Sequence, residues 1–272
     1  MLFFLHYFVC HHSIRARRAK TGRWCVVAML LLLFMFPTKT QAQNKEKGQW
    51  HFLAEPYVMF PYMDGSTGVG NLPKADVDAN PGDIFSKLKI GAMLYVEASN
   101  NQWSVSSDFI YMDLRQNVTG DVLIESGEFS AEQLAWELAG LKRLAGWLEV
   151  GIGGRLNNMK AGLDLVKTVG NPREEERSLS KTWVDPILIV RTKGIVKEKW
   201  LLQFRGDFGG FGIGSDFTWQ VQAYAGYGFS KLFQLTAGYR VIGVDYDKGT
   251  GLNRFVYDII TFGPVVRLGL NF

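Results

Sequence analysis

The residues that could do chemistry in this chain are mostly aspartates and arginines of its second half. Eight of them form a candidate charge cluster: Asp185, Arg191, Arg205, Asp207, Arg240, Asp245, Asp258 and Arg267. If they face a narrow interior, they must pair, because an unpaired charge in such a place is costly. The cluster therefore predicts a salt-bridged plug, with a polar path or an Arg- and Asp-lined pocket as the alternative.

A carboxylate site for hydrolysis is a second interpretation of the same residues. Asp207, Asp245 and Asp258 would form it if two carboxylates faced each other within ~5 Å, open to the surface and free of arginine. Enzymes of this size usually draw on a histidine as the base. The single histidine after residue 42, His51, lies beside Trp50 at the opposite end of the predicted structure. We therefore expect no catalytic residue and no enzyme activity.

Metal and cofactor sites are also not expected. Cys10 and Cys25 are the only cysteines, and both precede residue 42. Without a second histidine or a thiolate beyond that point, a zinc or copper site is not predicted. The glycine-rich run Gly206–Gly214 lacks the spacing and the following lysine of a phosphate-binding loop. It indicates close backbone approach instead.

The N-terminus has the pattern of a secretory signal peptide. Basic residues between Arg15 and Arg23 precede the apolar run Trp24–Phe36, and the segment ends in small and polar residues at Ala42. This pattern predicts cleavage after Ala42. The apolar run is shorter than the ~20 residues of a membrane-spanning helix. Residues 43–49 are then a short polar lead-in.

The basic character of the chain belongs to this predicted signal peptide. Residues 1–42 contain six of the 30 basic residues and none of the 26 acidic ones, which leaves 24 against 26. The remaining chain is therefore slightly acidic. Its composition gives no indication of nucleic-acid binding.

From Trp50 onward, apolar residues recur at every second position. The clearest example is the C-terminal segment, where one face is entirely apolar: Ile260, Phe262, Pro264, Val266, Leu268, Leu270 and Phe272. The opposite face carries glycines, an arginine and an asparagine. Alternation over about 10 residues matches the span of a tilted transmembrane β-strand.

Short turns and long connections alternate along the chain. A large aromatic residue follows each short turn or opens the first segment, as in the girdle at the periplasmic rim of a barrel. The predicted girdle is Trp50, Trp103, Trp147, Trp200 and Phe233. The long connections cover residues 61–85, 115–127, 158–182, 209–217 and 246–254. Five long and four short connections join ten strands, and an even number places both termini in the periplasm.

The predicted fold over residues 50–272 is therefore all-β, an up-and-down antiparallel transmembrane barrel of about ten strands, within a range of eight to twelve. Two segments fit less well: Glu132–Arg143 has leucine spacings that a helix also satisfies, and Gly243 predicts a β-bulge. A soluble lipocalin-like barrel is the alternative fold. It is disfavoured because its polar face would need more charge than this glycine-rich face carries.

Several motifs occur in an order that resembles a known family: Asp83–Leu88, Asp108–Leu114, Trp183–Pro186, Arg205–Ser215, Gly238–Arg240, Asp245–Asp247 and Phe255–Asp258. Together they resemble a widespread family of uncharacterised Gram-negative outer-membrane β-barrel proteins. The resemblance covers essentially the whole chain after the signal peptide, and the run Val241–Val244 departs from the family's usual short bulky segment. It implies a barrel in the outer membrane, and it brings no substrate or catalytic residue.

The sequence thus predicts a non-enzymatic barrel of the bacterial outer membrane that mediates surface interaction or limited passage of small solutes. An outer-membrane hydrolase and a soluble periplasmic lipocalin-like barrel are the alternatives. The expected partners are outer-membrane lipid, lipopolysaccharide and the barrel-assembly machinery. Leu268, Leu270 and Phe272 are the predicted assembly signal for that machinery.

Overall fold

The computed structural model describes residues 48–71, 73–119, 124–167, 174–197 and 199–272. The predicted signal peptide and residues 43–47 of the lead-in lie outside the described residues. Within the described ranges there are twelve strands, one α-helix and a short 3-10 helix at Gly251–Asn253. The α-helix is α1 (Pro81–Lys87). The strands are β1 (His51–Met59), β2 (Tyr62–Val69), β3 (Ala75–Ala79), β4 (Leu88–Ser99), β5 (Trp103–Thr119), β6 (Ile124–Ala145), β7 (Leu148–Lys167), β8 (Glu174–Val196), β9 (Trp200–Gly209), β10 (Phe217–Gly228), β11 (Phe233–Lys248) and β12 (Phe255–Asn271).

Ten of these strands close into an antiparallel barrel. From β4 to β12 each strand pairs with its neighbour in sequence, and β1 closes the ring by pairing with both β4 and β12. The two ends of the chain meet in this seam, where the backbone groups of Phe52 and Phe272 exchange hydrogen bonds of 3.1 and 2.8 Å. The predicted up-and-down ten-strand barrel is confirmed. We call the end with the short connections the turn end and the opposite end the loop end.

The first long connection is more ordered than expected. The predicted loop 61–85 contains the hairpin of β2 and β3, and β2 continues alongside the loop-end half of β12. Helix α1 follows, and its start is fixed by a capping box between Asn80 and Asp83, with two hydrogen bonds of 3.1 Å. Ile84 is the buried residue of this helix.

Two other predicted loops are largely strand. Residues 115–119 extend β5, and most of 158–182 belongs to β7 and β8, which are 20 and 23 residues long. These polar segments are extended because each pairs with its neighbour along its full length. The segment Glu132–Arg143 is a strand within β6, as predicted. The predicted bulge at Gly243 is wrong, since β11 pairs with both neighbours in unbroken register. Gly243 instead leaves room for Trp219, whose Nε1 would lie 2.2 Å from an added Cβ.

Beyond the barrel, the long strands extend its single twelve-stranded sheet in two regions, which we call the loop-end sheets. One is built from β5 to β8 and the other from β11, β12, β2 and β3, because β9 and β10 are only 10 and 12 residues long. The sheets meet over the β9–β10 hairpin, where the Trp183 ring lies 4.3 Å from the Tyr246 ring and 6.2 Å from the Tyr257 ring. This aromatic contact closes the interior at the loop end on that side.

Side chains divide sharply between the two faces of the barrel wall. The outward face carries most of the exposed large apolar residues, among them Ile152 at 68% exposure. The inward face is buried and polar, with arginines, carboxylates, threonines and glutamines. In the described residues no helix has the length and apolarity to cross a bilayer.

Candidate functional site

The barrel interior holds the candidate site, and its charges are arranged in layers. Nearest the turn end, Arg191 lies between Glu97 and Glu149, with a nitrogen-to-oxygen distance of 2.5 Å to each. Lys193 contacts Glu97 at 2.5 Å, and Arg143 contacts Glu149 at 2.9 Å. Two carboxylates are thus matched by three cations, and Arg191 is 1% exposed. The layer joins strands β4, β6, β7 and β8 across the interior.

Arg267 forms a second layer among three tyrosines. Its Cζ lies 4.2 Å from the Tyr224 ring centroid, 5.0 Å from that of Tyr57 and 5.1 Å from that of Tyr95. The guanidinium also donates to the Tyr224 hydroxyl at 2.9 Å and lies 3.3 Å from Glu55. Aromatic faces and one carboxylate together stabilise this buried cation. Arg267 therefore fills the interior between β1, β4 and β10.

The middle of the barrel contains a four-residue ion-pair square. Arg155 contacts Glu137 at 2.8 Å and Asp207 at 2.7 Å, and Arg205 contacts Asp207 at 3.0 Å and also pairs with Glu137. Each arginine thus bridges both carboxylates. All four residues are 5% exposed or less. Because neither charge type is in excess, the square is electrically balanced.

A hydrogen-bonded chain continues from this square to β1. Gln220 donates to Asp207 at 2.8 Å and accepts from Arg240 at 2.8 Å. Arg240 pairs with Asp108 at 2.9 Å, and Tyr57 donates to the same carboxylate at 2.7 Å. The chain crosses the lumen from β9 to Asp108 on β5 and Tyr57 on β1. Together with the Arg191 and Arg267 layers, it fills much of the described interior with hydrogen-bonded side chains.

Asp185 has a different role from the other buried carboxylates. It is 0% exposed and takes its partners from neutral groups rather than from an arginine. Its Oδ1 accepts from the backbone N–H and the hydroxyl of Ser215, at 2.6 and 2.7 Å. Its Oδ2 accepts from Trp183 at 3.0 Å and from Asn157 at 3.2 Å. Asp185 therefore holds the connection between β9 and β10 against β8.

A small cavity lies on the loop-end side of the charged layers. Its volume is about 50 Å³, and its floor includes Asp108, Glu137, Arg155 and Arg240. Its walls are largely apolar and rich in methionine: Met59, Met93, Met112, Met159, Ile110, Ile242 and Ile259. The space suits a few water molecules and is well below the ~300 Å³ at which ligand pockets begin.

Asp245 and Asp258 lie outside the charge cluster. They sit directly opposite each other on β11 and β12, and both are exposed on the outer face. The reason is parity: with no bulge, Asp245 is five residues from the inward Arg240 and so points outwards. Burial, followed by the neighbouring Asp258 and Asp216, raises the pKa of Asp245 above its ordinary value. The hydrolytic grouping with Asp207 is not formed, because Asp207 is inside and paired with arginines.

The other predicted residues lie at the turn end of the barrel. The five aromatics of the predicted girdle are all about half exposed, at 44% to 48%: Trp50, Trp103, Trp147, Trp200 and Phe233. Of the predicted assembly signal, Leu268 and Phe272 are exposed on the outer face and Leu270 is partly buried. His51 is an exposed residue at the start of β1. Among the described residues, no group of three or more potential metal ligands lies together.

Eight of the fourteen charged residues in the interior network described above were not part of the predicted cluster. The missing residues are Glu55, Glu97, Asp108, Glu137, Arg143, Glu149, Arg155 and Lys193. For Glu97, Glu149 and Arg155 the signal was present, because each lies on the minor face of an alternating segment. Glu137 lies in the segment with helix-like spacing, so its face was not fixed by the pattern.

Comparisons with known proteins give structural likeness without a family. No protein-family model matches the chain, and no curated protein matches its sequence. Among solved structures, it is similar to Ail, the attachment invasion locus protein of Yersinia pestis, with 12% identity, a TM-score of 0.34 and coverage of 82% of this chain and 98% of Ail. It is also similar to the outer membrane protease OmpT from Escherichia coli, with 8% identity, a TM-score of 0.48 and coverage of 82% and 96%. A third similar structure is Neisserial surface protein A, with 11% identity, a TM-score of 0.29 and coverage of 82% of this chain and 95% of that protein. At such identities no role is transferred.

Proposed function

We propose that this protein is a non-conducting barrel of the bacterial outer membrane that acts through its loop-end sheets. The observation that carries the proposal is the filled interior. The ion-pair layers around Arg191, Arg267 and Arg155 span the lumen, and the cavity beyond them holds only about 50 Å³. A sealed barrel cannot pass solutes, so the exposed sheets at the loop end are left for surface interaction.

The outward face supports the membrane location. Exposed leucine, isoleucine, valine and aromatic side chains would be unfavourable in water but suit contact with lipid chains. The five half-exposed aromatics at the turn end match a girdle at one membrane interface. We infer that the turn end faces the periplasm, with both chain ends there, and that the loop end faces outwards towards lipopolysaccharide. The barrel-assembly machinery would then recognise the apolar face of β12.

The other interpretations find less support. Passage of small solutes would require the ion-pair square to open. Opening would separate pairs that are already formed among Glu137, Asp207, Arg155 and Arg205. A hydrolase would require facing carboxylates in a cleft. Asp245 and Asp258 do face each other without an arginine between them, but they lie on the outside of the sheet and do not line the described interior cavity.

Migration on gels and planar-bilayer conductance test the proposal on the same detergent-extracted sample. We expect the unheated protein to migrate faster than the heated protein, and the bilayers to stay silent. The matched control empties all three layers, and its own heat shift shows that it is folded. Serine replaces these residues: Glu55, Glu97, Glu137, Glu149, Arg155, Arg191, Arg205, Asp207 and Arg267. This variant should conduct. Steady conductance by the unmodified protein would show that these residues line a pore. Extraction without detergent would favour the soluble barrel.

A further inference from the structure

The connection between β9 and β10, Gly210–Asp216, is rigidly held yet presents two apolar side chains to the outside. Phe211 is 53% exposed and Ile213 is 77% exposed. No residue from Gly210 to Ser215 carries a charge. Single exposed apolar residues are ordinary on protein surfaces, so exposure alone indicates little. This connection also has a fixed backbone conformation.

Hydrogen bonds fix the backbone of the connection in one shape. Gly210 donates to the Pro186 carbonyl at 3.0 Å, Ile213 donates to the Gly210 carbonyl at 2.9 Å, and Gly212 donates to the Ser215 carbonyl at 3.0 Å. Ser215 is held by the buried Asp185 through its backbone and its hydroxyl. The two apolar side chains are therefore held on a fixed scaffold at the end of the hairpin.

Phe211 adopts a backbone conformation that a bulky residue rarely takes. Its φ is +50°, in the left-handed region, where the neighbouring Gly210 and Gly212 also lie at +86° and +77°. Glycine accepts this region without strain, whereas phenylalanine does not. Local strain of this kind persists only where the surrounding structure holds it, and it concentrates at functional positions. With this backbone conformation, the Phe211 side chain is exposed on the outside of the connection.

The Phe211 ring lies next to the apolar outer face of the barrel wall. Phe211 packs edge-on against Phe208, with ring centroids 6.1 Å apart, and Phe208 is an outward residue of β9 at 46% exposure. Phe217, at the start of β10, is 47% exposed and outward as well. The connection thus continues the apolar outer face of the wall without a break. Charged residues begin at the same level, where Asp216 pairs with Lys248.

The length of β9 sets the height of the connection. With 10 residues, β9 is about the length that crosses a bilayer, whereas β11 and β12 extend to 16 and 17 residues. The β9–β10 hairpin is therefore the low side of the rim and ends where the membrane surface is expected. In contrast, Leu252 in the β11–β12 connection is 84% exposed but lies beyond the longer strands.

We propose that Phe211 and Ile213 insert into the outer leaflet of the membrane and anchor the low side of the barrel rim at the border between lipid chains and headgroups. The inference rests on the proposed membrane location and adds a lipid-contact site on a connection that would otherwise face water. Asp185 supports this anchor by holding Ser215, which fixes the connection so that Phe211 and Ile213 are already oriented towards the lipid.

Labelling of single introduced cysteines tests the anchor. Both native cysteines lie in the predicted signal peptide, so the unsubstituted protein shows the background labelling. Phe211→Cys and Ile213→Cys would each carry a fluorophore whose emission wavelength depends on polarity. Each labelled protein is placed in phosphatidylcholine vesicles. A second set of vesicles contains lipids with a nitroxide on the acyl chain, which quenches a fluorophore in contact with lipid. Ile152→Cys is the control for the lipid face, and Leu252→Cys is the control for water.

We expect the labels at 211 and 213 to emit at shorter wavelength than the label at 252 and to lose emission to the nitroxide lipids, as the label at 152 does. If 152 is quenched while 211 and 213 match 252, the barrel is embedded but the anchor is wrong. If 211 and 213 emit at short wavelength without quenching, they contact protein, and the anchor is also wrong. If 152 itself is not quenched, the membrane location fails as well.

Discussion

The Oδ1 atom of Asp185 accepts two hydrogen bonds from Ser215, one from its backbone N–H at 2.6 Å and one from its hydroxyl at 2.7 Å. The two residues are 30 positions apart, and Asp185 is fully buried. This contact explains how a connection rich in glycine keeps a single shape. A carboxylate is well suited to the task, because hydrogen bonds to a charged acceptor are stronger than those to a neutral one.

Replacing Asp185 with alanine should therefore loosen the β9–β10 connection. The buried N–H of Ser215 and the indole N–H of Trp183 would lose their acceptor, at a cost of about 1–3 kcal/mol for each unsatisfied group. We expect faster amide hydrogen exchange at residues 210–216, measured by mass spectrometry. Asp216→Ala is the control, since it removes only an exposed ion pair with Lys248. Unchanged exchange in Asp185→Ala would contradict the role assigned to this contact.

The Arg240–Asp108 pair should depend strongly on both partners being present. Arg240→Met leaves a buried carboxylate with Tyr57 as its remaining partner and should lower the free energy of unfolding by about 3–5 kcal/mol. The double variant Arg240→Met with Asp108→Asn should recover most of that loss, because no unpaired charge remains. Denaturant unfolding in detergent measures both. Lys160→Met, from an exposed pair with Glu132, should change stability little, and a loss as large as that of Arg240→Met would argue against burial as the cause.

Two nearby glycines of β7 should differ sharply in tolerance to alanine. A Cβ at Gly151 would lie 2.2 Å from the Gly140 carbonyl oxygen and 2.8 Å from Leu141 Cγ, whereas the nearest atom to a Cβ at Gly154 is 3.8 Å away. Gly151 faces inwards and lets Leu141 of β6 pack with Ile189 of β8. We expect Gly151→Ala to lose about 1–3 kcal/mol through overpacking and Gly154→Ala to unfold like the parent protein. The gel shift on heating, followed with temperature, compares them, and equal midpoints would refute this explanation.

The Asp245–Asp258 pair predicts a pH dependence at the loop end. Asp245 lies beyond the ~10 residues of β11 that cross a bilayer, and its pKa is raised by burial and then by Asp258 and Asp216. The folded state therefore holds this proton more tightly than the unfolded state, so stability falls as the pH rises from the ordinary aspartate pKa through the raised one. Asp245→Asn should stabilise the protein at neutral pH by a few tenths of a kcal/mol.

The gain should vanish in acid, where Asp245 is already protonated in both states. Unfolding midpoints of the parent and the variant at neutral and acidic pH measure the difference. Asp76→Asn is a suitable control, because Asp76 is an exposed aspartate of β3 that faces Ser66 rather than another carboxylate. A gain that persists in acid would mean that repulsion between the two carboxylates is not its source.

The sequence by itself determined the barrel. Alternation with period two determines which residues share a face. The polar face is rich in glycine and low in charge, which distinguishes a barrel with a polar interior from a soluble barrel with a polar exterior. The positions of the short turns after Ser99, Ala145, Val196 and Gly228 agree with the strand ends, since turn residues act locally. Local pattern was sufficient there because each strand from β4 to β12 pairs with its neighbour in sequence.

Only the tertiary structure decided how far the strands extend and which charges meet. The polar ends of β7 and β8 are strands because they pair with each other, which is a property of two segments and not of one. Asp185 contacts Ser215 rather than an arginine, and Arg267 lies among three tyrosines, because register around the ring sets which inward residues face each other. Alternation gives the face of a residue but not its partner across the lumen, so Asp108 and Arg240, 132 positions apart, could be paired only in the closed barrel.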